Sequence, residues 1–247
     1  MKADINGCAL FYEETGEGTP LLFLHGLTGR GDDWQFIGHD LAAGRRFITP
    51  DIRGHGRSTN PAGLLSHRRI AEDAFALLDR LRVGTFQAIG VSQGGNALLH
   101  MATMQPSRVD AMVIVSATPY FPAQARAVMR MSTVESHGSD EWQAMRARHE
   151  QGDDQIRALW AHAHALADSY TDMSFTPPAL ATITARTLIV YGDRDPLYPV
   201  ELAFAMHRSI PNASLWVIPG GGHSPVFQAD GPAFVRIARS FLETDRR

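Results

Sequence analysis

A serine at position 92 sits in the stretch GVSQGG, with Gly90 two residues before it and Gly94 two after, directly behind the apolar run TFQAIGV. An alcohol is a poor nucleophile at its free pKa and becomes a useful one when an adjacent base takes its proton. Two other stretches carry groups that could serve it. YGDRDPLYP offers carboxylates at Asp193 and Asp195, and GGGHSP offers an imidazole at His223. An imidazole can accept the serine proton and later deliver it to a leaving group. A carboxylate behind the ring can orient it and stabilise its charged form. These three residue types can together attack a carbonyl carbon through a covalent intermediate.

The elements that must hold these groups follow from the apolar runs. LLFLH (21–25), RRFITPD (45–51), TFQAIGV (85–91), VDAMVIVSA (109–117), RTLIVYG (186–192) and ASLWVIPG (213–220) read as strands. Helical patterns lie between them. HRRIAEDAFALLDRL puts Ile70, Ala74, Leu77, Leu78 and Leu81 on one face. SQGGNALLHMATMQ is stopped by Pro106, VELAFAMHRSI by Pro211, and FVRIARSFL closes the chain. Continuous apolar strands alternating with helices predict a mostly parallel, doubly wound α/β sheet covered on both faces. Alternation around Gly7 predicts an antiparallel hairpin on one edge.

From about Pro119 to Pro178 the strand signal stops. YFPAQARAVMRM, SDEWQAMRARHE and DDQIRALWAHAHALADS read as helices, rich in Met, Trp and His. The expected organisation is therefore a core of residues 1–118 and 179–247, with a helical cap, 119–178, inserted after the sixth strand.

Ligands of open parallel sheets sit beyond the carboxyl ends of the strands, where Ser92 falls. Gly90 and Gly94 clear space for a tight strand-to-helix turn, and the helix N-terminus offers N–H groups and a positive dipole. In this context G-x-S-x-G resembles the nucleophile elbow of the α/β-hydrolases. The resemblance extends over nearly the whole chain and rests on four more stretches in the same order: HGLTG, DIRGHGRS, YGDRDPLYP and GGGHSP. It implies that Ser92, Asp195 and His223 are catalytic. Asp195 matches the family's acid as the second aspartate of G-D-x-D, and Asp193 reads as a turn residue. The alternative place for the acid, after the preceding strand, reads VSATP and holds no carboxylate. The resemblance also implies oxyanion donors at the backbone N–H groups of Leu27 and Gln93, supported by His25, Gly26, Gly90 and Gly94. The DIRGHGRS loop is structural in the family.

Other candidates read blandly. His25 is expected to shape the oxyanion loop by hydrogen bonding rather than to move protons. Cys8 has no base nearby and reads as inert. His137, His149, His162 and His164 lie in the insertion, but His162 and His164 are two apart on a helix and point to different sides, so no metal site is expected. Met129, Trp142, Met145 and Trp160 pack the insertion onto the body, and a subset could wall an acyl pocket.

The 247 residues are 44% hydrophobic and 20% charged, with a formal net charge of −3. That balance provides no basic field for nucleic acid or membrane. A single cysteine excludes an internal disulfide, MKADINGCAL has no signal-type apolar segment, and no run approaches the ~18 apolar residues of a membrane span. The expected protein is a cytoplasmic, cofactor-independent serine hydrolase acting on small or medium carboxylic esters. Enol-lactones and carbon–carbon bonds are the alternatives, and a non-catalytic binding module on the same fold is the alternative of another class.

Overall fold

Among the described residues, eight strands hydrogen-bond into one sheet in the order β1-β2-β4-β3-β5-β6-β7-β8. The computed structural model describes residues 1–35, 41, 44–63, 65–227 and 230–243. β1 (Lys2–Ile5) and β2 (Cys8–Thr15) form the expected antiparallel hairpin, and β2 runs antiparallel to β4 (Arg45–Pro50). Asn6 and Gly7 turn it with φ of 50° and 73°, a conformation glycine adopts without penalty. From β4 onward every pairing is parallel, through β3 (Thr19–Leu24), β5 (Phe86–Val91), β6 (Val109–Val115), β7 (Arg186–Gly192) and β8 (Ala213–Ile218).

Successive residues of a strand point to opposite faces, and both faces are apolar here. Leu22 and Leu24 belong to one core, with α1 (His67–Arg80), α2 (Gln93–Met104) and α7 (Val200–Ser209). Leu21 and Phe23 belong to the other, with Trp34 and α8 (Gly231–Glu243). All six residues of β5 are buried, so the strand leading to Ser92 lies at the centre of the molecule.

The ends of elements depart from the sequence reading by a few residues. β3 stops at Leu24, which leaves His25 in the following loop, and β6 stops at Val115 because Ser116 turns out of the sheet with φ of 48°. Ser66 caps α1 by accepting the Arg69 N–H at 3.1 Å, and Leu81 ends that helix half-buried instead of continuing its face.

Between β6 and β7 lie α3 (Ala123–Met131), α4 (Ser139–Arg148), α5 (Asp153–Ala165) and the one-turn α6 (Pro177–Leu180). An antiparallel bridge pairs Tyr120 with Ser174. Ala125 and Met129 of α3 join the main core, whereas Met145, Ile156, Leu159 and Trp160 make a small cluster of their own. No helix among the described residues is long and apolar enough to cross a membrane.

Candidate active site

The chain leaves β5 through a sharp bend at Ser92, whose φ of 50° and ψ of −113° are rare for a residue with a side chain. Such strain costs of order 1–3 kcal/mol and persists only where the surroundings over-determine it. They do so here. The Ser92 N–H donates to the Val115 carbonyl of β6 at 2.8 Å, and its own carbonyl accepts the Asn96 N–H at 2.8 Å. A methyl group on Gly90 would lie 2.6 Å from the Gly94 backbone, and one on Gly94 would collide with the Leu24 carbonyl.

Two loops at the ends of β7 and β8 bring the other groups over this bend. They pass so closely that a side chain on Gly192 would strike the Gly221 carbonyl. The Arg194 N–H donates to the Gly221 carbonyl at 2.8 Å, and the Gly220 N–H donates to Asp193 Oδ1 at 2.6 Å. Asp193 thus fastens one loop to the other. Asp195 has a fully buried side chain, and its Oδ1 accepts the N–H groups of Leu197 and Tyr198 at 2.8 and 3.1 Å. Its Oδ2 lies 2.7 Å from His223 Nδ1, and His223 Nε2 lies 2.9 Å from Ser92 Oγ. A carboxylate at Nδ1 selects the tautomer protonated there, which leaves Nε2 free to accept the serine proton.

Leu27 and Gln93 line the same space from two sides. Gln93 is the first residue of α2, and the first N–H groups of a helix have no partner within it. The loop carrying Leu27 is shaped by His25, which is fully buried. His25 Nε2 accepts the Ile52 N–H at 2.9 Å, so its proton sits on Nδ1 and is donated to the Gly26 carbonyl at 2.7 Å. Burial holds its pKa below the ordinary histidine value, in keeping with a neutral ring. The loop is also held from the helical segment. Arg148 Nε and His149 Nε2 both donate to the Thr28 carbonyl, at 3.4 and 3.2 Å, and His149 Nδ1 accepts the Gly56 N–H at 2.9 Å.

The DIRGHGRS loop beneath is closed on itself. Burial alone would raise the Asp51 carboxyl, but the Arg57 guanidinium and the N–H groups of Arg57 and Gly31 hold it below its ordinary pKa. Arg53 pairs with Asp73 through Nε at 2.6 Å, nearly out of contact with solvent. Cys8 is buried, donates to the Thr59 carbonyl at 2.8 Å, and has its pKa raised by burial.

A cavity of about 610 Å³ opens above Ser92 between the sheet and the helical segment. Met129, Met145 and Trp160 line it, but Trp142 does not. The Trp142 ring stands edge-on to Trp160 at 4.7 Å, with the guanidinium carbons of Arg146 and Arg157 5.1 and 4.9 Å from its centre, and lines a separate outer hollow. Periodicity identified α4 as a helix but carried no signal for which of its faces looks inward. Tyr198 also lines the cavity, with its ring 5.4 Å from that of His223, and so do His67, Asn96, Asp33 and Arg148. Sequence reasoning did not single these out, because only the packing of distant segments brings them to the site.

A model described as the alpha/beta hydrolase family matches residues 21–237. The dihydrolipoyllysine-residue acetyltransferase component of the acetoin cleaving system of Pseudomonas putida is 28% identical over 251 residues, covering 93% of this chain and 65% of that protein. The chloroplastic protein PHYLLO of Arabidopsis thaliana is 30% identical over 149 residues, which are 55% of this chain and 9% of that protein. The chain therefore spans less than two thirds of the first curated relatives that it matches. Among solved structures, Est816, described as an N-acyl homoserine lactone degrading enzyme, superposes with a TM-score of 0.79 at 26% identity, covering 98% of this chain and 100% of the other. The enol-lactonase from Burkholderia xenovorans LB400 superposes with a TM-score of 0.82 at 17% identity, covering 99% and 100%.

Proposed function

The chain belongs to the alpha/beta hydrolase family, and from that premise we propose that it is a serine hydrolase of small to medium carboxylic esters, with Ser92, His223 and Asp195 as its catalytic residues. The observation that carries this reading is the His223 ring, which reaches Ser92 Oγ at 2.9 Å with one nitrogen and Asp195 at 2.7 Å with the other. Ser92 Oγ attacks the carbonyl carbon as its proton passes to His223 Nε2. The negative charge that develops on the carbonyl oxygen is met by the N–H groups of Leu27 and Gln93, donors typically worth ~3–4 kcal/mol each in such sites. The tetrahedral species then expels the alkoxide, which takes the proton from His223 and leaves as the alcohol. A water deprotonated by His223 attacks the acyl-serine, and the acid departs as the proton returns to Ser92. Asp195 orients the imidazole and stabilises its charged form throughout.

The segment 119–178 acts in this reading as a cap. It supplies Met129, Met145 and Trp160 to the apolar wall above the serine. The likeness to Est816 supports a second reading on the same residues, the opening of a lactone ring, in which the leaving alkoxide stays attached to the acyl group.

The test is kinetic. Ser92→Ala should fold as the wild type and lose hydrolysis of 4-nitrophenyl acetate and butyrate, and a fluorophosphonate probe should label the wild type stoichiometrically but not the variant. Wild-type activity in folded Ser92→Ala would end the reading, and a folded wild type that takes no label would favour a binding module instead.

A further inference from the structure

The cavity above Ser92 is walled mainly by apolar side chains, and its charged groups are few and paired. Among its described lining residues Arg148 is the single arginine or lysine. Its Nη2 is ion-paired with Asp33 Oδ1, and Asp33 Oδ2 accepts the Arg30 N–H at 3.0 Å. The other lining carboxylate is Glu141, which accepts from Gly138 N–H at 3.0 Å and faces His137 Nδ1 at 3.2 Å. Each lining histidine likewise faces a carboxylate, His67 that of Asp172, His137 that of Glu141 and His223 that of Asp195, and the one guanidinium stands against the two lining carboxylates. The cation a negatively charged substrate would need is already neutralised from within the chain.

Resting on the hydrolase reading above, we infer that this cavity selects uncharged ester or lactone substrates and discriminates against acyl chains that carry a carboxylate. A carboxylate lying against the apolar wall above Ser92 would lose its hydration there, the Arg148 guanidinium is already paired with Asp33, and Glu141, largely exposed at the rim, adds only a screened repulsion. Desolvation of an ion without a free counter-charge outweighs what the remaining contacts return. An uncharged acyl chain meets none of these costs. The Met129, Met145 and Trp160 side chains adapt to its shape.

The experiment compares two probes with the same acyl length, 4-nitrophenyl hexanoate and mono-4-nitrophenyl adipate, at neutral pH on the full chain with buffer rates subtracted. The neutral ester should exceed the anionic one by about 100-fold in kcat/KM, the penalty expected for an uncompensated charge. Asp33→Asn frees Arg148 and should narrow the ratio by about tenfold. A wild-type ratio near one, a preference for the adipate, or an unchanged ratio in folded Asp33→Asn overturns the inference. Should that variant fail to fold, Arg148→Gln leaves Asp33 unopposed and must widen the ratio, and a fixed or narrower ratio overturns the inference equally. If the folded wild type turns over neither ester, the hydrolase reading itself fails, and this inference with it.

Discussion

Ser116 Oγ, just past the end of β6, accepts the backbone N–H of Ser224 at 3.2 Å. The residue after His223 is thereby fastened to the next strand over from the one that delivers Ser92. Both residues hold positive φ, 48° at Ser116 and 58° at Ser224, so the contact joins two tightly turned segments. No carboxylate occupies this position in VSATP, but the serine there steadies the loop that carries the imidazole.

The hypothesis that Ser116 positions His223 predicts a loss in turnover rather than in binding. Ser116→Ala removes one hydrogen bond of about 1 kcal/mol, so kcat should fall by roughly fivefold with KM little changed. The rate of fluorophosphonate labelling should fall in parallel. An unchanged labelling rate in the folded variant would show that the loop is held without this contact.

The two aspartates of YGDRDPLYP should separate by function. Asp195→Asn keeps the shape but stops enforcing the His223 tautomer, and should lower kcat by about 10³–10⁴-fold. Asp193→Asn weakens the acceptor of the Gly220 N–H and should cost about tenfold or less, with a lower Tm. Equal losses in the two variants would contradict the assignment of Asp195 as the orienting acid.

Gly192→Ala should be far more damaging than an alanine elsewhere in the loops. Its methyl group would strike the Gly221 carbonyl, whereas one on Gly138 would meet nothing within 4 Å. We expect Gly192→Ala to lose about 3 kcal/mol or more of stability and Gly138→Ala, at the N-cap of α4, to lose about 1 kcal/mol or less. Chemical denaturation of both variants decides it, and similar midpoints would mean that the two loops can part without cost.

Stability should fall in mild acid, and His149 should account for part of the fall. Burial is the main cause that lowers its pKa from 6.5 to about 4. The unfolded chain takes up a proton at this ring near pH 6.5 and the folded chain only near pH 4. Between those values the unfolded state binds more protons, so folding stability declines as pH drops through the window and levels off below it. The full effect of this one ring is about 3 kcal/mol. Tm followed from neutral pH to pH 4 should drop less steeply in His149→Gln than in the wild type, although the variant starts lower. Parallel curves would count against the buried neutral ring.

The parts of the site that could be read directly are those written in short stretches. The spacing of Gly90, Ser92 and Gly94 encodes the bend, because the collisions it avoids are with Gly94 itself and with the neighbouring strand. The resemblance of His25-Gly26 to the family's HG element suggested a hydrogen-bonding histidine in the loop of Leu27, where His25 accepts the Ile52 N–H, and Asp193 stands in a turn. The apolar runs yielded the parallel sheet because both of its faces are covered. What stayed hidden depends on which way a helix face looks. Trp142 and Met145 are three residues apart on one helix, yet only Met145 reaches the cavity. His149 looked like one more histidine of the insertion. Its partners Gly56 and Thr28 lie 93 and 121 positions away, beyond the reach of any local pattern.

The Thr28 carbonyl is gripped by two consecutive residues of the helical segment, Arg148 and His149. Those two contacts tie the helical segment to the backbone beside Leu27. In the hydrolase reading, lifting that segment to let a product escape would slacken the loop, and settling it again over the next substrate would stiffen the loop. Product release and the set of the backbone around Leu27 would then be tied to each other through the one carbonyl of Thr28.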